Sequence, residues 1–149
     1  MIGRRAGALL ALLVLGSPAH AEWAGGTQGE VPLDSNGRSW LVRATLNGTV
    51  SGLFLLDTGA TLCVLAPETA RRLGLAGTGQ RVDLETANGT VRAPLIQLRS
   101  VDVGGNRARD VDAVVHPAVA PPLDGVIGLS FLNHFSYAID PRRRVLRLR

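Results

Sequence analysis

The chain has 149 residues and a formal charge of +4 at neutral pH, and each of its 16 basic side chains is an arginine. One cysteine, Cys63, excludes an internal disulfide framework, and three dispersed histidines, at positions 20, 116 and 134, exclude a metal-ligand cluster. The arginines are scattered except for Arg142-Arg143-Arg144, which reads as a solvated turn, so the charge does not point to nucleic acid.

At the N-terminus, Arg4 and Arg5 precede an apolar run, residues 6–15, that is short for a membrane span. Gly16, Ser17 and Pro18 break the run, and Ala19-His20-Ala21 has small-x-small spacing. The pattern predicts a secretory signal peptide over residues 1–21, with an uncleaved anchor as the alternative. A periplasmic or extracellular location is then expected. Removing 21 of the 149 residues leaves 128, with a formal charge of +2, which suits one domain. No later stretch is long and apolar enough for a transmembrane helix. Residues 22–30 contain Trp23, Gly25, Gly26 and Gly29 and read as a flexible linker ahead of a domain over 31–149.

Strand signals dominate the rest of the chain. Residues 38–46 alternate, with Trp40, Val42 and Ala44 on one face and Leu41, Arg43 and Thr45 on the other. Asn47-Gly48 is a strong hairpin signal, and residues 49–56 return as a strand ending Leu53-Phe54-Leu55-Leu56. Such an apolar run implies burial on both faces. A loop over 57–61 interrupts it, and 62–65 resumes it. Residues 67–73 predict a short helix, with Pro67 first, Glu68 in the first turn, Arg71 and Arg72 in the last, and Gly74 beyond. A second hairpin is expected over 81–95, turning at Asn88-Gly89, and a third over 96–115, turning near Gly104-Gly105-Asn106. A proline-rich connector, 116–122, leads to Gly125-Val126-Ile127-Gly128, a helix over 129–135, and strands over 137–140 and 144–148. Asn47 and Asn88 match glycosylation sequons, but as hairpin turns they need no such reading. The sum is an all-β domain with one or two short helices.

The feature that carries chemistry is Leu55-Leu56-Asp57-Thr58-Gly59-Ala60-Thr61. A carboxylate at the end of a buried strand is costly unless it is hydrogen-bonded or functional. Gly59 permits a sharp turn and offers an amide donor, and Thr58 supplies a hydroxyl. A plain Asx turn is the simpler reading of Asp beside Gly. The two flanking apolar strands make the pattern more specific. From residue 31 onward the chain resembles the retropepsin-like aspartic proteases, in particular small exported bacterial ones. That family shows apolar-apolar-Asp-Thr/Ser-Gly-Ala-Thr/Ser, matched by residues 55–61. Its later apolar-apolar-Gly motif is matched by Val126-Ile127-Gly128, and its flap corresponds by order to Thr86-Ala87-Asn88-Gly89. The resemblance implies a single-lobed acid-protease β-barrel, a catalytic Asp57 braced by Thr58, Gly59, Ala60 and Thr61, a peptide substrate, and no cofactor.

Aspartic proteases hold two carboxylates that share a proton, one activating a water and the other polarising the scissile carbonyl. A second motif is missing here. Asp34-Ser35-Asn36-Gly37 has the wrong spacing, Asp124-Gly125 lacks the hydroxyl residue, and Asp140-Pro141 has no glycine. A homodimer would supply Asp57 twice across a two-fold axis. The resemblance then implies a Thr58 hydrogen bond across that axis. The terminal strands are expected to form interface sheet, with Val145, Leu146 and Leu148 as apolar surface and Arg147 and Arg149 facing out. Cys63 reads as a buried structural thiol, His116 and His134 as loop and surface residues, and Trp40 as core or edge. Two alternatives remain: a catalytically silent peptide-binding module of the same fold, and a plain β-sandwich interaction domain.

Overall fold

The computed structural model describes residues 29–75 and 77–149. The predicted signal peptide, His20, Trp23 and the predicted linker up to residue 28 lie outside the described residues. Gly29 and Glu30 belong to the fold: Gly29 accepts a hydrogen bond from Leu148 at 2.8 Å, and Glu30 opens the first strand.

The strands are β1 (Glu30–Pro32), β2 (Asp34–Ser35), β3 (Trp40–Leu46), β4 (Val50–Leu56), β5 (Cys63–Leu65), β6 (Arg81–Thr86), β7 (Gly89–Val103), β8 (Asn106–Val115), β9 (Gly125–Ile127), β10 (Tyr137–Asp140) and β11 (Val145–Leu148). Two short helices, α1 (Pro67–Arg72) and α2 (Leu129–Leu132), interrupt them. Strands make up 53% of the described residues, so the expected all-β class holds.

The β3–β4 turn forms as its sequence dictates. Asn47 and Gly48 are both left-handed, with φ of 51° and 71°, and the Thr49 amide donates to Leu46 at 3.0 Å. Asn and Gly tolerate that conformation at least cost. The tip is pinned to β7: the Asn47 amide donates to the Ser100 carbonyl at 2.8 Å, and the Ser100 amide donates to Asn47 Oδ1 at 3.2 Å. Asn47 therefore spends its side chain on the fold.

That junction closes a barrel. Strand order runs β3-β4-β9-β5-β8-β7, and β7 returns to β3 through Thr45↔Asp102 and Leu46↔Val101. The result is a closed six-strand barrel. Its interior holds Val42, Leu46, Phe54, Leu56, Leu98, Val101, Val111, Ile127 and Phe131, with Trp40 packed at the margin. On β7 the buried residues switch from Ile96 and Leu98 to Val101 and Val103. The paired β8 makes the same switch, and the Arg99–Asp110 pair is absent from the ladder, with Asp110 at φ 53°. This break turns the hairpin so that one strand serves two barrel neighbours.

Several boundaries differ from expectation. The second and third hairpins share one 15-residue strand, β7. The β6–β7 turn is Ala87-Asn88, one residue earlier than expected, because Thr86 already pairs with Gly89. The Thr86 hydroxyl fixes that turn by donating to the Gly89 carbonyl at 2.7 Å and accepting from the Asn88 amide at 3.2 Å. Helix α2 ends at Leu132, and residues up to Phe135 continue only as hydrogen-bonded turns.

The terminal segments form a separate sheet, β1-β11-β10. Here one expectation fails. Leu146 and Leu148 are 0% and 1% exposed and pack into the barrel core, so they offer no interface surface. Pairing with β1 and β10 fixes the register that turns these two side chains inward. The opposite face is charged. Glu30 takes Arg143 at 2.6 and 2.8 Å and Arg147 at 3.2 Å, and Arg147 also reaches Asp140 at 3.5 Å.

Truncation of Leu146 to Ala is expected to destabilise the fold by about 2–5 kcal/mol, as for other fully buried leucines. Urea unfolding at fixed protein concentration checks this, and a near-zero effect would place Leu146 outside the core. The charged face predicts an acid dependence. The Arg143 guanidinium holds Glu30 below the usual carboxylate range, and the Arg143 amide does the same for Asp140. A lowered folded pKa contributes stability above the unfolded pKa, and that stability is lost as pH falls through the folded value. Stability should therefore decline below about pH 4, and Glu30→Gln should flatten the decline. Denaturation at a series of acidic pH values checks the slope.

Candidate active site

Asp57 is the first residue beyond β4. Its amide donates to the Ile127 carbonyl at 3.0 Å, continuing the β4–β9 ladder by one rung. The chain then has to cross the end of β9, because β5 returns on the far side of that strand. Gly59 makes the crossing, and its amide donates to Asp57 Oδ1 at 2.8 Å. The Ala60 amide closes the turn on the Asp57 carbonyl at 3.3 Å. Asp57 is half-buried, Thr58 and Thr61 are exposed, and Ala60 is buried. The carboxylate is thus oriented by one backbone donor and remains open to the loop surface.

The second motif is the other half of this construction. Val126 and Ile127 lie in β9, and Gly128 is the N-cap of α2. The first amides of α2 take up the loop carbonyls, Leu129 donating to Ala60 at 2.8 Å and Ser130 to Thr61 at 3.0 Å. A side chain at Gly128 would stand 2.5 Å from the Leu62 carbonyl oxygen and 2.7 Å from that of Ala60. The Gly128 amide donates to Cys63 Sγ at 3.4 Å, and burial pushes the Cys63 thiol up, away from the reactive thiolate. The Ser130 hydroxyl accepts from the Cys63 amide at 2.9 Å and donates to the Asp112 carbonyl at 2.7 Å. Cys63 and Ser130 therefore hold the return arm of the loop. Ser130 gave no sequence signal beyond its place in the expected helix.

A second apolar cluster faces this loop from outside the barrel. Ala60, Val64, Ala93, Val114 and Val126 form its floor, with Leu55, Leu62, Val82, Leu84, Leu95 and Val119 around them. Leu55 belongs here, whereas Phe54 and Leu56 point into the barrel, which explains the two-sided burial of the β4 run. A cavity of about 250 Å³ opens between the loop and β6, lined by Ala60, Thr61, Leu62, Val64, Asp83, Leu84 and Glu85. The predicted flap residues Thr86, Ala87, Asn88 and Gly89 form the tip beyond this cavity, and Ala87, Asn88 and Gly89 are exposed. The cavity-lining residues of β6 were missed because turn chemistry marks a hairpin's tip and not its walls.

β6 ends the sheet order, so one of its edges is unpaired. Leu84↔Val91 and Thr86↔Gly89 are the hydrogen-bonded type of pair in a two-residue hairpin, so the backbone groups of Asp83 and Glu85 point to the free edge. The outer face of the hairpin carries Arg92 on Asp83 at 2.8 Å and the Thr90 hydroxyl on Glu85 at 2.6 Å.

Of the aspartates rejected as second motifs, Asp124 and Asp140 have local roles. In the 34–39 turn, Asn36 Oδ1 takes the amides of Arg38 and Ser39. Asp140 caps its own turn through the amides of Arg142 and Arg143. Asp124 braces β4 against the segment entering β9. His116 sits in the connector, where its Nδ1 accepts from the Ala118 amide at 3.1 Å, and His134 is exposed. Among the described residues no group of His, Cys, Asp and Glu could hold a metal ion.

Residues 42–131, which span both motifs and the hairpin between them, match the sequence model described as aspartyl protease. The chain belongs to the aspartyl protease family. Among solved structures this family member is similar to a retropepsin-like aspartic protease from Rickettsia conorii. The two are 27% identical with a TM-score of 0.59, over 80% of this chain and 89% of that one. No curated protein matches. Family and barrel together make this a retropepsin-like aspartyl protease fold and support a protease-type function.

The contacts at Gly128 predict a specific defect. Gly128→Ala should force the Ala60 and Leu62 carbonyls apart and destabilise the fold by roughly 1–3 kcal/mol, the usual cost of overpacking. Urea unfolding measures the loss. The Gly59 amide resonance should move with it, and an unshifted Gly59 signal would refute the coupling between α2 and the loop.

Proposed function

We propose that the chain is an exported aspartic endopeptidase that acts as a homodimer, with Asp57 from each subunit forming the catalytic pair. The observation that carries this reading is the half-buried Asp57 carboxylate, held by the Gly59 amide on a loop that borders an apolar cavity. One loop supplies one carboxylate, and the chemistry needs two. A two-fold axis beside Asp57 meets that need with an isologous contact. Thr58 is exposed on the same loop and is suited to a hydrogen bond across the axis. Leu146 and Leu148 are committed to the core, so the proposed contact does not draw on their side chains.

In the proposed reaction the ionised Asp57 takes a proton from a water held between the two carboxylates. The resulting hydroxide adds to the scissile carbonyl carbon, while the protonated partner Asp57 gives its proton to the carbonyl oxygen. The tetrahedral adduct then collapses, the C–N bond breaks, and the leaving nitrogen takes a proton from the pair. The substrate is an extended peptide lying along the free edge of β6, paired to the backbone of Asp83 and Glu85, with an apolar side chain over Ala60, Leu62, Val64 and Leu84. No cofactor takes part. Export rests on the basic, apolar and small-x-small pattern of residues 1–21. Among the described residues no helix is long and apolar enough to cross a membrane.

The test uses purified protein lacking residues 1–21 and an unfolded protein substrate. Asp57→Ala should lower cleavage by at least about three orders of magnitude and leave the sedimentation behaviour unchanged. Activity per subunit should fall on dilution as the dimer dissociates. Cleavage that survives the substitution refutes the assignment of Asp57. Full activity from a species that sediments as a monomer refutes the shared site.

A further inference from the structure

Asp124 ties together three elements that meet behind the catalytic loop. Its Oδ2 accepts from the Leu53 amide at 2.9 Å, and its own amide donates to the Leu53 carbonyl at 2.8 Å. Its Oδ1 takes Arg72 of α1 at 3.1 Å. Its carbonyl accepts from the Ala66 amide at 3.0 Å and from the buried Thr69 hydroxyl at 2.7 Å. One residue thus joins β4, the β5–α1 corner and the start of β9.

The geometry leaves no slack around this carboxylate. A Cβ at Gly52 would clash with its Oδ2 and stand 2.5 Å from its Cγ, so β4 carries glycine where the side chain crosses it. From there β4 and β9 run parallel through Phe54↔Gly125, Leu55↔Val126 and Leu56↔Ile127, and the next rung is the Asp57 amide on Ile127. The Leu53–Asp124 contact begins the short ladder that Asp57 ends. With only three strand pairs between them, a shift at the first rung reaches the last.

We propose that Asp124 is a positioning residue for Asp57: by supplying the acceptor for the Leu53 amide, it fixes β9 on β4 and sets the placement of the Asp57 carboxylate. Arg72 neutralises the outer oxygen and is secondary. The kinetic consequence rests on the catalytic reading of Asp57, whereas the structural coupling does not.

The experiment compares the parent protein with Asp124→Ala, Asp124→Asn, Gly52→Ala and the Gly52→Ala/Asp124→Ala double variant. Misplacement by a fraction of an ångström to an ångström predicts a loss of about tenfold or more in kcat for Asp124→Ala. KM should stay within about twofold, since the cavity wall is untouched. Asp124→Asn keeps an acceptor for the Leu53 amide and should restore most of kcat. Gly52→Ala should reproduce the kcat loss by displacing the carboxylate. The double variant should lose less than the product of the two single losses, because the carboxyl group that stands closest to the added methyl is gone and only the Cβ at position 124 still meets it. Parent-like kcat in a folded Asp124→Ala, a KM that rises in step with the fall in kcat, failure of Asn to rescue, or multiplicative loss in the double variant each overturns the proposal. If Asp124→Ala does not fold, Asp124→Asn and Gly52→Ala decide. Amide hydrogen exchange separates this idea from the protease reading. Should the parent cleave nothing, the protease reading fails, and exchange at Asp57 still answers: faster exchange in Gly52→Ala or Asp124→Ala supports the clamp, and unchanged exchange refutes it.

Discussion

The three residues of β9 run between β4 and β5, and the strand is bounded by glycines, Gly125 and Gly128, that have no room for a side chain. Gly125 is hemmed by the Val64 carbonyl and the Phe54 ring, and Gly128 by the carbonyls of Leu62 and Ala60. β4 is parallel to β9 and β5 antiparallel to it, so the connection between β4 and β5 has to pass over the end of β9. That end is also where α2 begins, and its first free amides meet the carbonyls of the passing loop. Asp57 lies where the loop leaves the ladder. Its position is therefore set by registers on two sides and by a helix end in front, and not by the loop's own preference.

Much of this was legible in the chain because the local signals agreed with the global fold. Asn47-Gly48, the apolar run into Asp57, and the Pro67 helix each carry their structure in a few adjacent residues. Less local features were not legible. β7 reads as two strands, since Pro94 and the switch of alternation near Arg99 look like punctuation, whereas the barrel needs one strand with two sets of neighbours. Leu146 and Leu148 read as surface for a partner because a terminal strand of alternating Leu and Arg does not say which side the core lies on. Pairing with β1 and β10 decides that, 113 or more residues away in the case of Glu30 with Arg143 and Arg147. In the sequence Asp124 reads only as a failed copy of the Asp57 motif. Its partner Leu53 is 71 residues away, and no local pattern announces such a bond.

The division of apolar residues into two clusters gives the barrel and the site different stabilities. The barrel interior is sealed by six strands and by α2. The outer cluster is covered on one side by the half-buried Val82 and Leu84 of β6, a strand with a single neighbour. Burying one such side chain completely contributes about 1.5–3 kcal/mol, so lifting β6 from the loop forfeits at most a few kcal/mol. That is smaller than the roughly 5–15 kcal/mol that holds a domain together. Movement of the hairpin is therefore separable from unfolding of the barrel, as the proposed binding of an extended peptide requires.

Asp57 and Asp124 flank the same pair of strands, and their surroundings show why one suits chemistry and the other does not. Both carboxylate oxygens of Asp124 are engaged, one by the Leu53 amide and one by Arg72, and the residue's own amide and carbonyl are engaged as well. Asp57 has its amide and carbonyl committed in the same way, but among the described residues its side chain takes only the Gly59 amide, on Oδ1. The backbone is fixed while the carboxylate keeps acceptor capacity for a water or for a second carboxyl group. The proposed shared-proton site needs such a rigid frame around an incompletely used acid, and under that proposal the second carboxyl group comes from a partner subunit.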